Sequence, residues 1–479
     1  MTNDKFNYFF PRLAVSVWWI YLFHFRHLAA GSDRFFLLTM ALVERGSVRL
    51  DSYYNNPFYA SYLGDILLHE GHAYSNINPG LSFLAVPAWA VVHFFYQFIP
   101  PSSLLRQDII HYFIAHFVCF AFTTALLSAL TVWLLAVLTY KKTGCKWRSL
   151  LAGSLYGLGS IAFFFSTRAN QNIPVAFIGV CVFVLIFEPD LLGKLKPQIG
   201  FFAIGFLLGW GPILDITAMP LLFVFSILLL IQNRSSRINL VYILLGALLP
   251  IAGQMLYHFV AFGNPFLSPS MLLAQPKAAD AVVMNPVGLG LRRIYIGSLL
   301  EYLFTPKSGF FIYMPYAALA TWYFIRFWLR NQLFNRIEKF AIAGIFITYS
   351  LFMTVVPAQY LYSLFGPRYL LPLVPFVCLI FAVYFRRQEL QLGTILIGIG
   401  LTFNVAGAQL GNDTGNIFLS LAVYAIKGPW LPILDWVQKE LFLNTNYSPE
   451  VISPYGLFLM LLIGLFILWS PFVIKALLE

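Results

Sequence analysis

Residues 111–140 read HYFIAHFVCFAFTTALLSALTVWLLAVLTY, a stretch without a single aspartate, glutamate, lysine or arginine. About 20 consecutive apolar residues in a helix are enough to cross the hydrocarbon core of a bilayer. The same character extends over most of the chain, since 60% of its 479 residues are hydrophobic and only 10% are charged. Soluble domains carry about 25% charged residues. The sequence therefore predicts an all-α, polytopic membrane protein and excludes a soluble globular one.

Thirteen segments are candidates for membrane crossing. They lie near residues 9–30, 79–99, 111–140, 149–166, 172–187, 198–213, 216–231, 238–261, 309–328, 339–357, 369–385, 392–408 and 453–474. The segment 79–99 is the weakest of them, because it contains Pro87 and His93 and follows a long polar loop. Whether it crosses the membrane decides on which side every later loop lies.

The basic residues favour a topology in which 79–99 does not cross. In that case 17 of the 30 lysines and arginines lie on the cytoplasmic side and 13 outside; otherwise 11 lie inside and 19 outside. The 17 are Lys5, Arg12, Lys141, Lys142, Lys146, Arg148, Lys194, Lys196, Arg234, Arg237, Arg326, Arg330, Arg336, Lys339, Arg386, Arg387 and Lys475. Because cytoplasmic loops carry excess Lys and Arg, we predict about twelve transmembrane helices, both termini cytoplasmic, and 79–99 as a re-entrant or membrane-surface helix.

The net charge of +11 does not indicate nucleic-acid binding, because the basic residues lie in short clusters between apolar segments. We expect a multi-pass protein of a bacterial inner membrane, surrounded by lipids, with residues 1–479 forming one transmembrane domain. Its long loops all lie on the predicted outer side, at 31–110, 262–308 and 409–452. Long ordered loops tend to be functional. In the last of them, residues 430–442 are predicted to form an amphipathic helix on the membrane.

The first outer loop begins with a carboxylate, Asp33. Residues 35–45 have helical apolar spacing and end at Gly46, a plausible C-cap, which places Asp33 on the first turn of a short surface helix. Asp33 could cap that helix, or it could take a proton from an acceptor hydroxyl. Three further carboxylates of the loop are each typical of solvated side chains: Asp51, Asp65 and Glu70.

A metal site in this loop is not favoured. His69 and His72 have a spacing compatible with zinc binding on a helix, but Gly71 argues against a regular helix there, and no clear third ligand follows. We therefore expect no metal cofactor.

Three basic residues of the predicted outer side need an explanation: Arg168, Lys307 and Arg368. Cationic groups near the membrane surface suit a phosphate, which arginine can bind through two hydrogen bonds. Snorkelling to lipid head groups is the alternative for any single one. Their occurrence near turns favours a phosphate-lipid site. Asp215, at the tip of a short outer hairpin, is either functional or a helix cap.

Four further motifs complete the pattern: GHAYSNINPGLS at 71–82, FGNPF at 262–266, LFTPKSG at 303–309 and FGPRYLLP at 365–372. Together with Asp33 after the first span and a long first outer loop, they resemble bacterial membrane glycosyltransferases of the GT-C superfamily. That superfamily includes protein O-mannosyltransferases and the aminoarabinose transferase that acts on lipid A. The resemblance extends from about residue 31 to residue 372.

The resemblance implies sugar transfer at the outer membrane face, with inversion, from a polyprenyl-phosphate sugar to a glycan, lipid or protein acceptor. Asp33 would be the general base, and Arg368, with Arg168 or Lys307, would steady the leaving phosphate. Other residues expected to bind substrate are Arg34, Asp65, His72, Tyr74 and Tyr369. Some relatives carry a metal-linked carboxylate in the second outer loop, but Arg168–Asn172 has none, so the sequence does not favour a metal-dependent mechanism.

Two other function classes fit the topology. A transporter or flippase of polyprenyl-linked glycans would also have twelve spans, but it should carry charged residues along the middle of its helices. A structural or assembly protein would leave the outer basic residues unexplained.

Overall fold

The computed structural model describes residues 9–26, 33–60, 66–100, 107–193, 195–233, 236–273, 294–328, 333–356, 365–386, 389–410, 416–434 and 454–478. Its helices are α1 (Phe9–Phe23), α2 (Asp33–Arg45), α3 (Asp51–Tyr54), α4 (Pro57–Ala60), α5 (Gly80–Tyr96), α6 (Gln107–Phe120), α7 (Leu126–Thr143), α8 (Lys146–Gly157), α9 (Ile161–Ser166), α10 (Asn172–Phe187), α11 (Pro197–Leu214), α12 (Met219–Gln232), α13 (Arg237–Phe262), α14 (Pro269–Leu273), α15 (Ile296–Phe304), α16 (Phe310–Tyr313), α17 (Tyr316–Arg326), α18 (Arg336–Val355), α19 (Val374–Tyr384), α20 (Leu390–Leu410), α21 (Ile417–Lys427) and α22 (Pro454–Leu478). A π-helical turn, Ala121–Ala125, joins α6 to α7, and 3-10 turns occupy Pro189–Leu192, Ile216–Ala218 and Arg368–Leu373.

Helices coincide with all twelve predicted spans, which confirms the all-helical, polytopic membrane architecture. Within the described residues, five continuous helical segments meet the length and apolar composition needed to cross a bilayer: Asp108–Thr143 (α6, the π-helical turn and α7), Pro197–Leu214, Arg237–Phe262, Arg336–Val355 and Leu390–Leu410. The others are shorter or broken. The segment 79–99 is helical too, as α5, and its depth in the membrane stays a prediction.

Two predicted spans are broken, 149–166 between α8 and α9 and 309–328 between α16 and α17. A broken helix at membrane depth needs protein groups to satisfy the freed carbonyls. The buried Asn404 of α20 supplies them, since its Nδ2 lies 3.0 Å from the carbonyl of Tyr313 and 3.3 Å from that of Gly159. The Tyr316 hydroxyl also donates to the Gly159 carbonyl, at 3.2 Å. One polar side chain thus joins both breaks.

Asn404→Leu is expected to destabilise the protein, because it removes this donor while keeping a similar volume. The cost should be on the order of 1 kcal/mol, the usual value of an interhelical hydrogen bond in a membrane. Denaturant unfolding of the purified protein in detergent measures it. Thr402→Val is the matched control on α20, since the exposed Thr402 hydroxyl bonds, among the described residues, to the Gly398 carbonyl of its own helix. Equal stability of the two variants would contradict the bridging role.

The chain ends of the described bundle lie on one side. Helices α1 and α22 are antiparallel, because the Phe9 ring lies 5.4 Å from that of Trp469, whereas Trp19 Nε1 donates to the Leu461 carbonyl at 3.2 Å. Trp469 Nε1 also donates to Ser16 Oγ at 2.8 Å. The beginning of α1 and the far end of α22 therefore face the same way.

Loops that the basic-residue count assigned to the cytoplasm come together at one end of the bundle. Lys142 lies 2.6 Å from Glu188 and 2.5 Å from the buried Glu338, and Lys141 lies 2.5 Å from Glu188. Burial alone would raise the pKa of the Glu188 carboxyl, but hydrogen bonds and charge from Lys141 and Lys142 hold that pKa below its ordinary value. This cluster ties together the ends of α7, α10 and α18.

The first outer loop folds into a compact layer. As predicted, its first helix, α2, ends just before Gly46, which has a φ of +58°. A two-stranded antiparallel hairpin, β1 (Ile66–His69) and β2 (His72–Ser75), follows, and the sequence pattern did not predict it. Gly71, at a φ of +80°, sits in its turn, where a residue with positive φ is needed. Other outer-loop elements are α14, α15 and α21. The part of the predicted helix 430–442 that follows residue 434 lies outside the described residues.

Candidate functional site

A chain of contacts through aromatic rings brings together the segments that carry Arg168, Lys307 and Arg368. The Arg168 guanidinium carbon lies 3.4 Å from the centre of the Phe164 ring, and Phe164 stacks on Phe365 at 4.6 Å. Phe365 in turn packs edge-on against Tyr313 at 4.7 Å, and the Tyr313 hydroxyl donates to the carbonyl of Lys307 at 3.2 Å. Segments far apart in sequence therefore meet at the same end of the bundle.

Arg168 is buried, with 1% of its surface exposed, in the loop between α9 and α10. A guanidinium is seldom buried without strong compensation. Stacking of the Arg168 guanidinium on Phe164 provides part of this compensation, since the face of an aromatic ring attracts a cation. The structure therefore holds the Arg168 cation inside the bundle, and a buried side chain does not fit snorkelling to lipid head groups.

Arg368 opens the 3-10 turn Arg368–Leu373. Its Nη2 donates to the Tyr369 hydroxyl at 2.8 Å, and its guanidinium carbon lies 4.7 Å from the Tyr369 ring centre. Its Nε is buried without a hydrogen-bond partner among the described residues. Gly366, at a φ of +66°, allows the turn that brings Arg368 here, and a Cβ at that position would meet Ile161 and Tyr313 at 3.1 and 3.3 Å.

Asp215 joins the neighbouring outer loops. It caps the turn that follows α11, since the Thr217 amide donates to Oδ1 at 2.9 Å, in agreement with the cap interpretation. It also accepts from Gln171 Nε2 at 2.6 Å and from Asn172 Nδ2 at 3.1 Å. These bonds fix Asp215 as a positioning group that orients the loop after Arg168.

The motif 71–82 connects the first outer loop to this region. Asn78 Nδ2 donates to the Pro212 carbonyl at 3.0 Å. A Cβ on Gly80 would lie 2.5 Å from the Ile213 carbonyl oxygen. Only glycine permits such close contact between backbones. The beginning of α5 is thereby held against the outer end of α11, next to Asp215.

Two predicted substrate-binding residues have structural partners. His72 Nδ1 lies 2.8 Å from Asp51 Oδ2, and its side chain is 37% exposed. Tyr74 is buried and packs edge-on against Phe262, with ring centres 5.2 Å apart. These contacts anchor the hairpin between α3 and the end of α13. Contact of either residue with a substrate stays a prediction.

The catalytic candidate, Asp33, is the first residue of α2, and Arg34 is the second. The structure describes the helical backbone of both residues but not their side chains. The predicted substrate-binding residue Asp65 lies outside the described residues. Phe36, in the same turn, packs on His116 at 3.7 Å, and His116 packs on Phe25 at 4.9 Å. The adjacent Arg26 amide donates to the Thr167 carbonyl at 2.9 Å. The beginning of α2 is thus linked to the loop of Arg168 through the residues that follow α1.

Sequence reasoning missed the residues that assemble the site: Phe164, Phe365, Tyr313, Gln171 and Asn172. Phenylalanine is abundant in this chain, with 49 occurrences. Nothing in the local sequence therefore distinguishes the rings that contact one another across the bundle. Gln171 and Asn172 lie three and four residues after Arg168, and their polarity beside an apolar span was the available signal.

Neither a protein-family model nor a curated protein matches the sequence. Among solved structures, ArnT from Cupriavidus metallidurans bound to undecaprenyl phosphate matches with a TM-score of 0.54 and 13% identity, over 91% of this chain and 71% of that one. Apo ArnT matches with a TM-score of 0.50 and 13% identity, over 90% and 69%. The Archaeoglobus fulgidus oligosaccharyltransferase complex with Zn and sulfate is more distant, with a TM-score of 0.45 and 12% identity, over 92% and 57%.

Proposed function

Because the chain has the GT-C fold, we propose that it is a glycosyltransferase that moves a sugar from a polyprenyl-phosphate donor to an envelope acceptor. The meeting of the Arg168, Lys307 and Arg368 segments at one end of the bundle carries this proposal. Preorganised cations suit a phosphate, and in the same fold ArnT was solved with undecaprenyl phosphate. The acceptor would be a glycan, a lipid or a protein.

The chemistry that we propose is a single displacement with inversion. An acceptor hydroxyl oxygen attacks the anomeric carbon, the bond from that carbon to the phosphate oxygen breaks, and polyprenyl phosphate leaves with the electron pair. Asp33 takes the hydroxyl proton as general base. Arg368, with Arg168 and Lys307, stabilises the charge that develops on the leaving phosphate, and preorganised charge of this kind often contributes more to catalysis than any other effect.

Arg368 is the best-placed phosphate ligand by its contacts. Tyr369 holds one end of the guanidinium, while the buried Nε has no hydrogen-bond acceptor in the described ranges. A buried N–H without an acceptor costs about 1–3 kcal/mol, and a phosphate oxygen would remove that cost. We assign no metal to the transfer step, because the loop Arg168–Asn172 has no carboxylate.

We also propose that this site faces the outside of a bacterial inner membrane, with both termini cytoplasmic. The basic cluster around Lys142 then lies inside, in line with the positive-inside rule. The shared direction of the ends of α1 and α22 agrees with termini on one side. A lipid-linked donor can enter such a site sideways between the helices.

Binding of undecaprenyl phosphate, compared with undecaprenol, tests the proposed donor class. The purified full-length protein is expected to bind the phosphate lipid roughly ten- to a hundredfold more tightly, the equivalent of one charge-assisted hydrogen bond. Native mass spectrometry with both lipids in competition measures the ratio. Equal binding of the two lipids would contradict a phosphate site.

A further inference from the structure

A second group of chemically active side chains lies at the other end of α2 from Asp33. It consists of Glu44 in the last turn of α2, His93 in the last turn of α5 and His111 near the beginning of α6. Each offers one ligand atom, and these atoms all lie within 4.8 Å of one another. Glu44 Oε1 and His111 Nε2 are 3.3 Å apart.

This separation fits a shared metal ion. Zinc binds imidazole nitrogen and carboxylate oxygen at about 2.0–2.2 Å, so two ligands of a tetrahedral ion lie about 3.3–3.6 Å apart. Glu44 and His111 already have that spacing, and the ligand atom of His93 lies within 4.8 Å of both of theirs. One carboxylate with two imidazoles is a donor set suited to zinc.

Neighbouring side chains orient these ligands, and one ring nitrogen of His93 is left without a hydrogen-bond partner among the described residues. Trp89 Nε1 donates to Glu44 Oε1 at 3.1 Å, the kind of outer contact that fixes a ligand's orientation. The Trp89 ring also lies 5.4 Å from each of the two histidine rings. His93 Nδ1 is buried and has no hydrogen-bond partner within the described part of the chain. His93 Nε2 lies 3.0 Å from Gln97 Nε2, and an ion would give Nδ1 a partner.

We propose that Glu44, His93 and His111 bind one divalent transition-metal ion of the zinc class, with water in the remaining position. The ion would join α2 and α5, which lie within the first outer loop, to α6, which begins at the end of that loop. Asp33 lies eleven residues before Glu44 on α2, about 16 Å away along the helix axis. The role is therefore to hold the surface layer in place, and it is independent of the proposed sugar transfer.

Zinc titration of the full-length protein tests this site. The protein is purified in detergent through a tag without histidine, stripped with a chelator, and titrated with Zn²⁺ by calorimetry, with elemental analysis for stoichiometry. We expect one high-affinity zinc per chain and a higher unfolding temperature with zinc. His93→Ala and Glu44→Gln should each bind zinc more than about tenfold more weakly, since even the loss of an outer-shell partner costs at least that much.

His69→Ala is the matched control, because His69 lies in the hairpin outside the group, and it should bind zinc as the wild type does. Glu44→Gln keeps the size of the side chain and an acceptor for Trp89, so it gives an answer even if His93→Ala does not fold. Wild-type affinity in Glu44→Gln and His93→Ala, or absence of zinc binding by the wild type, would overturn the proposal.

Discussion

Replacing Asp33 by asparagine is expected to abolish sugar transfer and to leave the amount of folded protein in the membrane unchanged. Asparagine is as good a helix N-cap as aspartate, so the capping interpretation predicts little change. It cannot accept a proton, however, and loss of a general base costs about 10²–10⁴-fold in rate. Transfer assayed in isolated membranes, normalised to the amount of folded protein, separates the two interpretations.

The control for Asp33→Asn is Glu70→Gln in the same outer loop. The Glu70 carboxylate is 83% exposed at the hairpin turn, and its replacement should leave transfer unchanged. Near-wild-type turnover of Asp33→Asn would remove Asp33 from the mechanism and leave it as the cap of α2.

Arg368→Ala should weaken use of the donor, with a smaller effect on the acceptor. Alanine removes both the guanidinium held by Tyr369 and the buried Nε donor. A hydrogen bond to a charged group is worth about 1.5–3 kcal/mol, so the Michaelis constant for the donor should rise roughly ten- to a hundredfold. Arg368→Lys keeps the charge but cannot form two parallel hydrogen bonds, and it should recover part of the loss.

Steady-state kinetics with varied donor concentration measure this effect. Arg237→Ala is the control, because Arg237 is an exposed arginine at the beginning of α13, among those assigned to the cytoplasmic side. Unchanged donor kinetics in Arg368→Ala would indicate that Arg368 interacts with surrounding lipid rather than with the donor.

The helical framework was predictable from the sequence because membrane crossing depends on local composition. Each predicted span coincides with a helix, and Gly46 ends α2 as its position indicated. The breaks within two spans were not predictable. They depend on Asn404, which lies far away in sequence and reaches both breaks only after α20 has packed against them.

The candidate site was predictable in part. Arg168, Lys307 and Arg368 stood out because basic residues are unexpected on the outer side, and the structure brings their segments together. The sequence could not indicate the rings between them, since these contacts exist only in the folded bundle. The close spacing of His69 and His72 is compatible with a zinc site on a helix. In the structure the two residues are instead opposite each other on the strands of a hairpin.

The proposed metal-binding group of Glu44, His93 and His111 could not be predicted from the sequence either. Glu44, His93 and His111 share no motif and lie on three separate helices. Packing of α5 against α2 and α6 alone makes them neighbours, so no local pattern could predict the group.

A proteoliposome assay of the purified protein tests the central claim most directly. The vesicles contain undecaprenyl-phosphate-linked monosaccharides and acceptor material extracted from the source membranes, and mass spectrometry follows the lipid. We expect the wild type to release undecaprenyl phosphate as its sugar moves to the acceptor, and Asp33→Asn to release none. A lipid-linked sugar that remains intact and only changes leaflet would contradict the account and identify a flippase.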